Sequence, residues 1–464
     1  MNKLYISFCI VSLFLTSCKK EIIQDPQTSK VATKFYSTEI EVEEGVNAAY
    51  GALQSVYKLN LPALGEISSD NTFDEVPAND GGKYGQLDEF TTISQNQIVS
   101  DTWKGSYVGI QRANIILNRI NAIKFTDEAV KNARIGEMKF IRALLYFNLV
   151  RLYGDVPLVI SETENPNDFF GRGRSSKDDV YAQVELDLTE AISLLPTTVS
   201  EQGRVTQGAA QALLGKVYLT EHNYSEARMM LEAVYNSGQF TLQSDLASIF
   251  AEENENNSEI IFAVQFASGL NGNSMGSNLF QQFSPSGTHS GSKGHNLPTK
   301  ELYAKYTADD LRGVAYVGAT DEGVPFTKKY VESSTQIDDG GSDFVVLRFA
   351  DVVLMLAEIE AEQGNVSGAA NYLNEIRTRA GLSPTVAASQ DQMTDAIALE
   401  RRLELLGEGH RWFDLIRTGK AVEVMNAWFA VERKSISIDD HHLLLPIPQS
   451  QINTDPAISQ NAGY

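Results

Sequence analysis

Cysteine and positive charge are scarce in this chain of 464 residues. The two cysteines are Cys9 and Cys18, and Cys9 lies in a segment that we expect to be removed. The mature chain can therefore form neither a disulfide nor a cysteine-rich metal site. Lys and Arg number 38 against 60 Asp and Glu, for a formal net charge of -22. This deficit of cations opposes binding to phosphate backbones, and we expect no nucleic-acid partner.

Long apolar runs are also rare. The clearest one, residues 4–15, follows Lys3 and is interrupted only by Ser7 and Ser12. As a helix it would span about 18 Å, well short of a hydrocarbon core about 30 Å thick. A short apolar run after a basic residue is typical of a signal peptide, which we assign to residues 1–17. No later stretch is long enough to suggest a transmembrane helix.

The signal peptide ends in Leu15-Thr16-Ser17-Cys18, which resembles a bacterial lipobox. In such a motif the Cys becomes the first residue of the mature chain and carries fatty acyl chains such as palmitate. Two or more chains anchor a protein stably, because each buried methylene contributes about 0.8 kcal/mol. We therefore expect Cys18 to be lipidated and residues 18–42 to form a polar tether. The alternative is ordinary cleavage near Ser17, which would leave a free thiol.

The dominant pattern after the tether is helical. Apolar residues recur at spacings of three and four, which predicts helices over residues 46–57, 103–120, 129–152, 180–195, 209–218, 227–235, 344–362, 369–380 and 393–406. Residues 259–266 are a plausible strand. The sequence therefore predicts a mainly α protein with a few short strands.

Two segments have the spacing of tetratricopeptide units, in which small residues let two antiparallel helices approach closely. The first unit runs over residues 214–234, and the second over residues 356–376 has the same relative offsets. A weaker third unit pairs residues 143–152 with 188–195. We therefore expect a core of tetratricopeptide-like helix pairs, which is an architecture that commonly presents surfaces to partners.

Three loop segments, at about 71–85, 267–297 and 318–341, are too long and too polar to be part of the helical core. Glycan capture needs aromatic faces and amide or carboxylate groups in a concave surface. The loops contain such side chains, and our candidate ligand contacts are Asn71, Phe73, Asp74, Tyr84, Phe280, Phe283, Phe326 and Tyr330. The alternative for each is packing within its own loop.

Enzyme-like patterns are weak. Residues 272–276 fit G-x-S-x-G around Ser274, but they lie in a Gly- and Ser-rich stretch without the strand–turn–helix context of a hydrolase. Carboxylates in residues 400–414 alternate with arginines, which indicates charge-paired helices rather than acid–base catalysis or a metal site of Glu408, His410 and Asp414. His441-His442 lacks metal-ligand spacing. We expect no catalytic residue, no metal and no cofactor, and we keep a cell-surface hydrolase only as a remote alternative.

Six blocks of the sequence together resemble the SusD/RagB family, in order along nearly the whole mature chain. They are residues 135–158, 346–354, 373–377, 400–417, 445–448 and 461–464. Two departures are Ala462, where the family often has Pro, and Lys19-Lys20, where surface-exported members often show acidic residues. The family's motifs do not identify its ligand contacts.

The resemblance implies a non-enzymatic lipoprotein of the outer membrane, anchored by lipid and facing the cell exterior. Residues 43–464 would form one SusD-like domain, with a loop-rich ligand region around 267–341. Such proteins capture oligosaccharides for a SusC-like TonB-dependent transporter, and some members capture peptides instead. The resemblance favours a glycan ligand over a peptide.

Overall fold

The computed structural model describes residues 36–165, 167–269, 275–330 and 336–464. The predicted signal peptide, Cys18 and most of the predicted tether lie outside these residues. Ser274, the serine of the G-x-S-x-G pattern, also lies outside them.

The described part of the chain forms seventeen α-helices and six short strands. The helices are α1 Glu39–Tyr57, α2 Asn60–Leu64, α3 Gly85–Asp88, α4 Gln97–Arg119, α5 Glu128–Tyr153, α6 Lys177–Leu194, α7 Gln207–Thr220, α8 Tyr224–Tyr235, α9 Leu279–Gln282, α10 Lys300–Tyr303, α11 Arg312–Ala315, α12 Phe349–Glu362, α13 Val366–Arg379, α14 Gln390–Glu404, α15 Arg411–Arg417, α16 Ala421–Val431 and α17 Gln449–Thr454. The strands are β1 Thr72–Phe73, β2 Ile260–Val264, β3 Leu297–Pro298, β4 Val317–Ala319, β5 Pro325–Thr327 and β6 Phe344–Arg348. The prediction of a mainly α protein is confirmed.

The core consists of packed helix pairs. Helices α7 and α8 form the first predicted unit, α12 and α13 the second, and α5 and α6 the weaker third. Helices α1 and α4 form a further pair that the sequence pattern did not indicate. A tetratricopeptide-like core is consistent with this arrangement.

The first unit shows why a small residue is needed at its helix crossing. A Cβ atom on Gly215 of α7 would lie 2.6 Å from Cγ of Leu231 on α8. Ala227, Leu231 and Val234 are fully buried on the facing side of α8. The Gly therefore lets the large residues of one helix fill the groove of the other.

The prediction of a helix from residue 344 was wrong at its start. Residues Phe344–Arg348 form β6, which pairs antiparallel with β2, and α12 begins only at Phe349. The predicted strand at 259–266 is confirmed as β2. Val345 and Val346 favour a strand because their branched Cβ atoms restrict χ1 in a helix. Because both residues are apolar, they continue the helical spacing of α12 in the sequence, which led to the error.

The folded body also begins earlier than residue 43. Thr38 caps α1 by accepting a hydrogen bond from the backbone N–H of Glu41, and α1 starts at Glu39. Glu39 and Glu41 lie in the first turn, where the helix dipole favours negative charge. Val42 is fully buried, so the last residues assigned to the tether belong to the helical core. Among the described helices, none combines the length and apolarity needed to cross a bilayer.

Two glycines provide a matched test of packing. A Cβ atom on Gly65, at the end of α2, would lie 2.1 Å from the carbonyl oxygen of Gly409, whereas one on Gly51 in α1 would have no neighbour within 4 Å. We expect Gly65→Ala to destabilise the protein by about 1–3 kcal/mol or more, because backbone cannot move aside as a side chain can. Gly51→Ala should stabilise it by about 0.5–1 kcal/mol, since Ala loses less backbone entropy in a helix. Urea unfolding of both variants checks this, and equal effects would contradict it.

Candidate functional site

Three segments distant in sequence meet in what we call the loop cluster, residues 71–85, 277–298 and 336–340. Strand β1 pairs antiparallel with β3, and Oγ1 of Thr72 donates a hydrogen bond of 2.7 Å to Oδ1 of Asn296. Ser277 and Gly340 form an isolated bridge that joins the third segment to the second. The cluster therefore brings together parts of all three loop segments identified in the sequence.

A buried histidine holds the first two segments together. The ring of His295 is fully buried, with Nδ1 2.8 Å from Oδ1 of Asp74 and Nε2 3.1 Å from Oδ2 of Asp80. Tyr84 packs against the same ring at a centroid distance of 3.9 Å. Burial raises the pKa of Asp80, but its hydrogen bonds with His295 and Lys293 outweigh burial and hold the pKa below its ordinary value. The loops are thus fixed by charged hydrogen bonds rather than by regular secondary structure.

Five of the eight candidate contacts are buried and support the loops from inside. They are Asn71, Asp74, Tyr84, Phe283 and Tyr330, each less than 9% exposed. Because these side chains present almost no surface, we do not carry them into the proposed ligand surface. Phe73, Phe280 and Phe326 are half-buried and keep part of their rings accessible.

The buried aromatics continue a row of rings from the helical core. Tyr57 of α1 lies 5.7 Å from Phe344, which stacks on Tyr330 at 6.1 Å, and Tyr330 contacts Phe283 at 6.2 Å. The hydroxyl of Tyr330 donates to the carbonyl of Gly407 at 2.8 Å. This row ties the second loop segment to the core, which accounts for the burial of Phe283 and Tyr330.

The side-chain amide of Asn71 forms hydrogen bonds through both its nitrogen and its oxygen. Its Nδ2 donates to Oε1 of Glu66 at 3.0 Å, and its Oδ1 accepts from Nε of Arg402 at 2.9 Å. Burial raises the pKa of Glu66 to about 7. The Asn71 side chain thus links a buried carboxyl group to α14 and has a structural role.

Phe280 is the most accessible aromatic group of the second loop segment. It lies on the short helix α9, and its ring is 4.8 Å from that of the exposed His289, at an interplanar angle of 40°. Ile337, which is 53% exposed, packs over Gly291 in the same region. Phe326, by contrast, lies on the β4–β5 hairpin, where its ring covers Gly318.

The loop cluster is rich in buried polar atoms that have no hydrogen-bond partner. Among the described residues there are twelve such side-chain atoms, and six belong to this cluster. They are Oδ2 of Asp74, the hydroxyl of Tyr84, Oδ1 of Asn278, Oε1 of Gln281, Oε1 of Gln282 and Nδ2 of Asn296. Buried polar groups in native proteins are normally paired, so this concentration of unpaired atoms distinguishes the loop cluster from the rest of the described chain.

The charged block at residues 400–414 forms ion pairs. This confirms the interpretation of the block as charge-paired. Glu404 contacts Arg312, Arg348 and Arg379, and all four side chains are buried. Burial raises the pKa of Glu404, but the three guanidinium groups outweigh it and hold the pKa well below its ordinary value. Each carboxylate is committed to an arginine, so the block stabilises the fold.

The three residues weighed as a metal site are likewise engaged elsewhere. Oε1 of Glu408 accepts from Nζ of Lys329 at 2.6 Å, and Asp414 pairs with Arg401 at 2.8 Å. Nδ1 of His410 lies 2.9 Å from Nζ of Lys216. Burial, followed by the positive charge of Lys216, lowers the pKa of His410 to about 3. His410 is therefore a neutral acceptor for the Lys216 ammonium group.

Neutral His410 makes a testable contribution to acid sensitivity. Its pKa is about 6.5 in the unfolded chain, so below that pH the unfolded chain binds a proton that the native protein does not. We expect His410→Asn, which keeps an acceptor near the position of Nδ1, to remove the loss of stability caused by this proton uptake. The stability advantage of the wild type over the variant should fall by about 2 kcal/mol between pH 6.5 and pH 5. Parallel unfolding free energies across this range would contradict the assignment.

Two tryptophans have the predicted packing role. Trp103 and Trp412 are 2% and 5% exposed, which confirms that they belong to the core. Trp428, which the sequence left ambiguous, is half-buried and stacks on Phe429 at 6.4 Å.

Two family models match the chain. Residues 26–219 match a family described as starch-binding and associating with the outer membrane, and residues 313–464 match the SusD family. The two matches share no residues and together cover most of the chain.

Individual proteins show the same relationship. The SusD-like protein P25 of Formosa agariphila is 28% identical over 98% of each chain. A structure described as a laminarin-binding SusD-like protein has a TM-score of 0.82 and 28% identity, covering 92% of this chain and 100% of its own. The starch-binding protein SusD of Bacteroides thetaiotaomicron is 31% identical over a shorter region, which is 26% of this chain and 22% of that protein.

The order of the helix pairs, the two family matches and the relatives at nearly full length agree with one another. This chain belongs to the SusD/RagB family.

Proposed function

We propose that this protein captures oligosaccharides at the loop cluster and delivers them to a SusC-like TonB-dependent transporter. The observation that carries this proposal is that α9 and its N-cap hold two half-buried side chains, the ring of Phe280 and the amide of Asn278, whose Oδ1 has no hydrogen-bond partner. Sugar hydroxyls both donate and accept hydrogen bonds, and the apolar face of a sugar ring packs on an aromatic ring. The pattern therefore suits a glycan.

Helix α9 presents both chemistries within a few residues. Asn278, Gln281 and Gln282 each have an unpaired amide oxygen, and Phe280 lies between them in the sequence. The backbone N–H of His295 donates to the carbonyl of Gln282 at 2.9 Å, which connects α9 to the His295 contacts.

The described functions of the relatives support the same ligand class. One related structure is described as laminarin-binding, and a more distant relative is described as starch-binding. Both descriptions name binding proteins, which agrees with a role without catalysis. A peptide remains the second ligand class, since peptides also present donors, acceptors and apolar groups.

A binding panel tests the ligand class. The mature chain is titrated by calorimetry with laminarin-type and starch-type oligosaccharides, acidic oligosaccharides and short peptides. We expect binding of a neutral oligosaccharide at micromolar to millimolar strength, with no new reducing ends. Binding of peptides alone would overturn the glycan proposal, and release of reducing ends would indicate a hydrolase.

We further propose that residues 1–17 are removed, that acylated Cys18 anchors the protein, and that residues 43–464 act as one ligand-binding domain on the outer face of the outer membrane. Cys18→Ala should shift the protein from the membrane fraction to the soluble fraction, because Cys18, the first residue of the mature chain, would carry all of the acyl chains. Fractionation and immunoblotting of both forms measure this. Wild-type protein in the soluble fraction would contradict the anchor, and failure to co-purify a TonB-dependent transporter from membranes would contradict the partnership.

A further inference from the structure

A short turn near the C-terminal end of the chain gathers one carboxylate and two imidazoles. The turn is a 3₁₀-helix over Asp440–Leu443, and Asp439 occupies its N-cap position. Nδ1 of His442 lies 3.3 Å from Oδ1 of Asp439, and Nδ1 of His441 is in direct contact with the same oxygen. The two imidazole rings face each other with centroids 3.7 Å apart. One ligand atom from each of the three residues lies within 4.8 Å of the others.

One of these separations is the distance expected between two ligands of a divalent transition metal. With bonds of about 2.0–2.1 Å, two ligand atoms at corners of a tetrahedron lie about 3.3 Å apart. The distance between His442 Nδ1 and Asp439 Oδ1 already has this value. Imidazole with carboxylate is a donor set that Zn²⁺ accepts readily, and three protein ligands leave a fourth position open to water.

One imidazole nitrogen of the turn already accepts a hydrogen bond from the backbone. The backbone N–H of Asp439 donates to Nδ1 of His442 at 3.1 Å, so that nitrogen already presents a lone pair. A metal taking this lone pair replaces one hydrogen bond.

The surroundings hold the imidazoles in place while leaving one side open. The rings of Phe90 and Tyr464 pack on His442 and His441 at 5.9 and 5.5 Å respectively. A Cβ atom on Gly463 would lie 2.6 Å from the ring of His441, so the chain passes this ring closely. The Asp439 side chain is 72% exposed and that of His441 is 32% exposed, which gives an ion access from solvent.

From this arrangement we propose that Asp439, His441 and His442 bind one divalent transition-metal ion, with Zn²⁺ the best fit. The site is separate from the loop cluster and does not depend on the proposed glycan capture. It was not anticipated from the sequence, in which His441-His442 was considered as a pair without Asp439. The third ligand comes from the cap of the turn, two residues before His441.

The test uses the full chain, purified in detergent with a histidine-free tag and stripped with a chelator. Titration with Co²⁺ should give the absorption of a tetrahedral site with one equivalent per chain, and Zn²⁺ should displace it. His441→Gln and His442→Gln should each lower the affinity at least tenfold, since loss of metal contacts typically costs 10- to 100-fold or more. His289→Gln, which changes an exposed histidine of the loop cluster, is the matched control and should bind as the wild type does.

Two results would overturn the proposal. One is the absence of Co²⁺ and Zn²⁺ binding above that of a surface control, and the other is a titration unchanged in both histidine variants. Unfolding temperatures of the metal-free proteins are compared, and His441→Gln, which changes the more exposed of the two imidazoles, should unfold close to the metal-free wild type. A loss of binding with an unchanged unfolding temperature therefore reports on the ligands and not on the fold.

Discussion

Replacing Arg348 by methionine is expected to lower the free energy of unfolding by about 3–5 kcal/mol, or to prevent folding. Arg348 is 1% exposed and pairs with three buried carboxylates, at 2.9 Å from Glu259, 2.8 Å from Glu404 and 2.7 Å from Glu408. Removing one partner of a buried ion pair leaves uncompensated charge in a medium of low dielectric constant. Methionine fills the space but provides no charge.

Urea unfolding measures this effect, and Lys420→Ala is the matched control. Lys420 pairs with Glu423 at 2.9 Å, but both side chains are more than half exposed, so the change should leave the free energy of unfolding nearly unaltered. If Arg348→Met does not fold, Arg348→Lys keeps one charge without reaching all three carboxylates. It should fold with an intermediate loss. A loss of less than about 1 kcal/mol in Arg348→Met would show that the network is not needed for stability.

Replacing Phe280 by alanine is expected to weaken the binding of laminarin-derived oligosaccharides by about tenfold to a hundredfold. The ring is the half-buried aromatic of α9, 4.8 Å from that of His289, and is flanked by residues with unpaired amide oxygens. Aromatic anchors at the centre of a binding surface commonly contribute 2 kcal/mol or more, and each 1.4 kcal/mol corresponds to tenfold in affinity. The prediction rests on the proposed glycan capture.

Calorimetric titration of the variant checks this prediction, with Phe170→Ala as its control. Phe170 is 55% exposed and lies in the α5–α6 connection, outside the loop cluster. Both variants remove an accessible phenyl ring, so only a ring at the ligand surface should change the affinity. Equal affinities for the two variants would place the glycan elsewhere. Comparing the unfolding temperatures separates a local effect from a loss of fold.

The sequence indicated the helices well, because burial against a neighbouring helix selects apolar residues at spacings of three and four. The two clear units became α7–α8 and α12–α13 for this reason. The start of α12 was misplaced because Val345 and Leu347 continue the apolar pattern while pairing with β2. The pair α1–α4 was missed, since its helices are separated in the chain by α2, α3 and β1.

The loop residues show the limit of composition as a guide. The sequence identified three loop segments rich in aromatics and amides, but could not say which side chains face solvent. Tyr330 is buried because it stacks on Phe344 and donates to Gly407, contacts between residues far apart in the chain. His295 contacts both Asp74 and Asp80, although more than two hundred residues separate it from them in the chain. No local sequence pattern predicts such a pairing.

The fold class, the helix-pair core and the resemblance to the SusD/RagB family follow from the amino-acid sequence alone, because they depend on periodic burial and on ordered motifs along the chain. Which loop side chains are supports and which are accessible depends on contacts that form only in the folded protein. The tertiary structure also showed that the charged block is a buried ion-pair network, and that Asp439 lies against two histidines. The physical reason is that desolvation and hydrogen-bond pairing act between atoms close in space, whatever their separation in sequence.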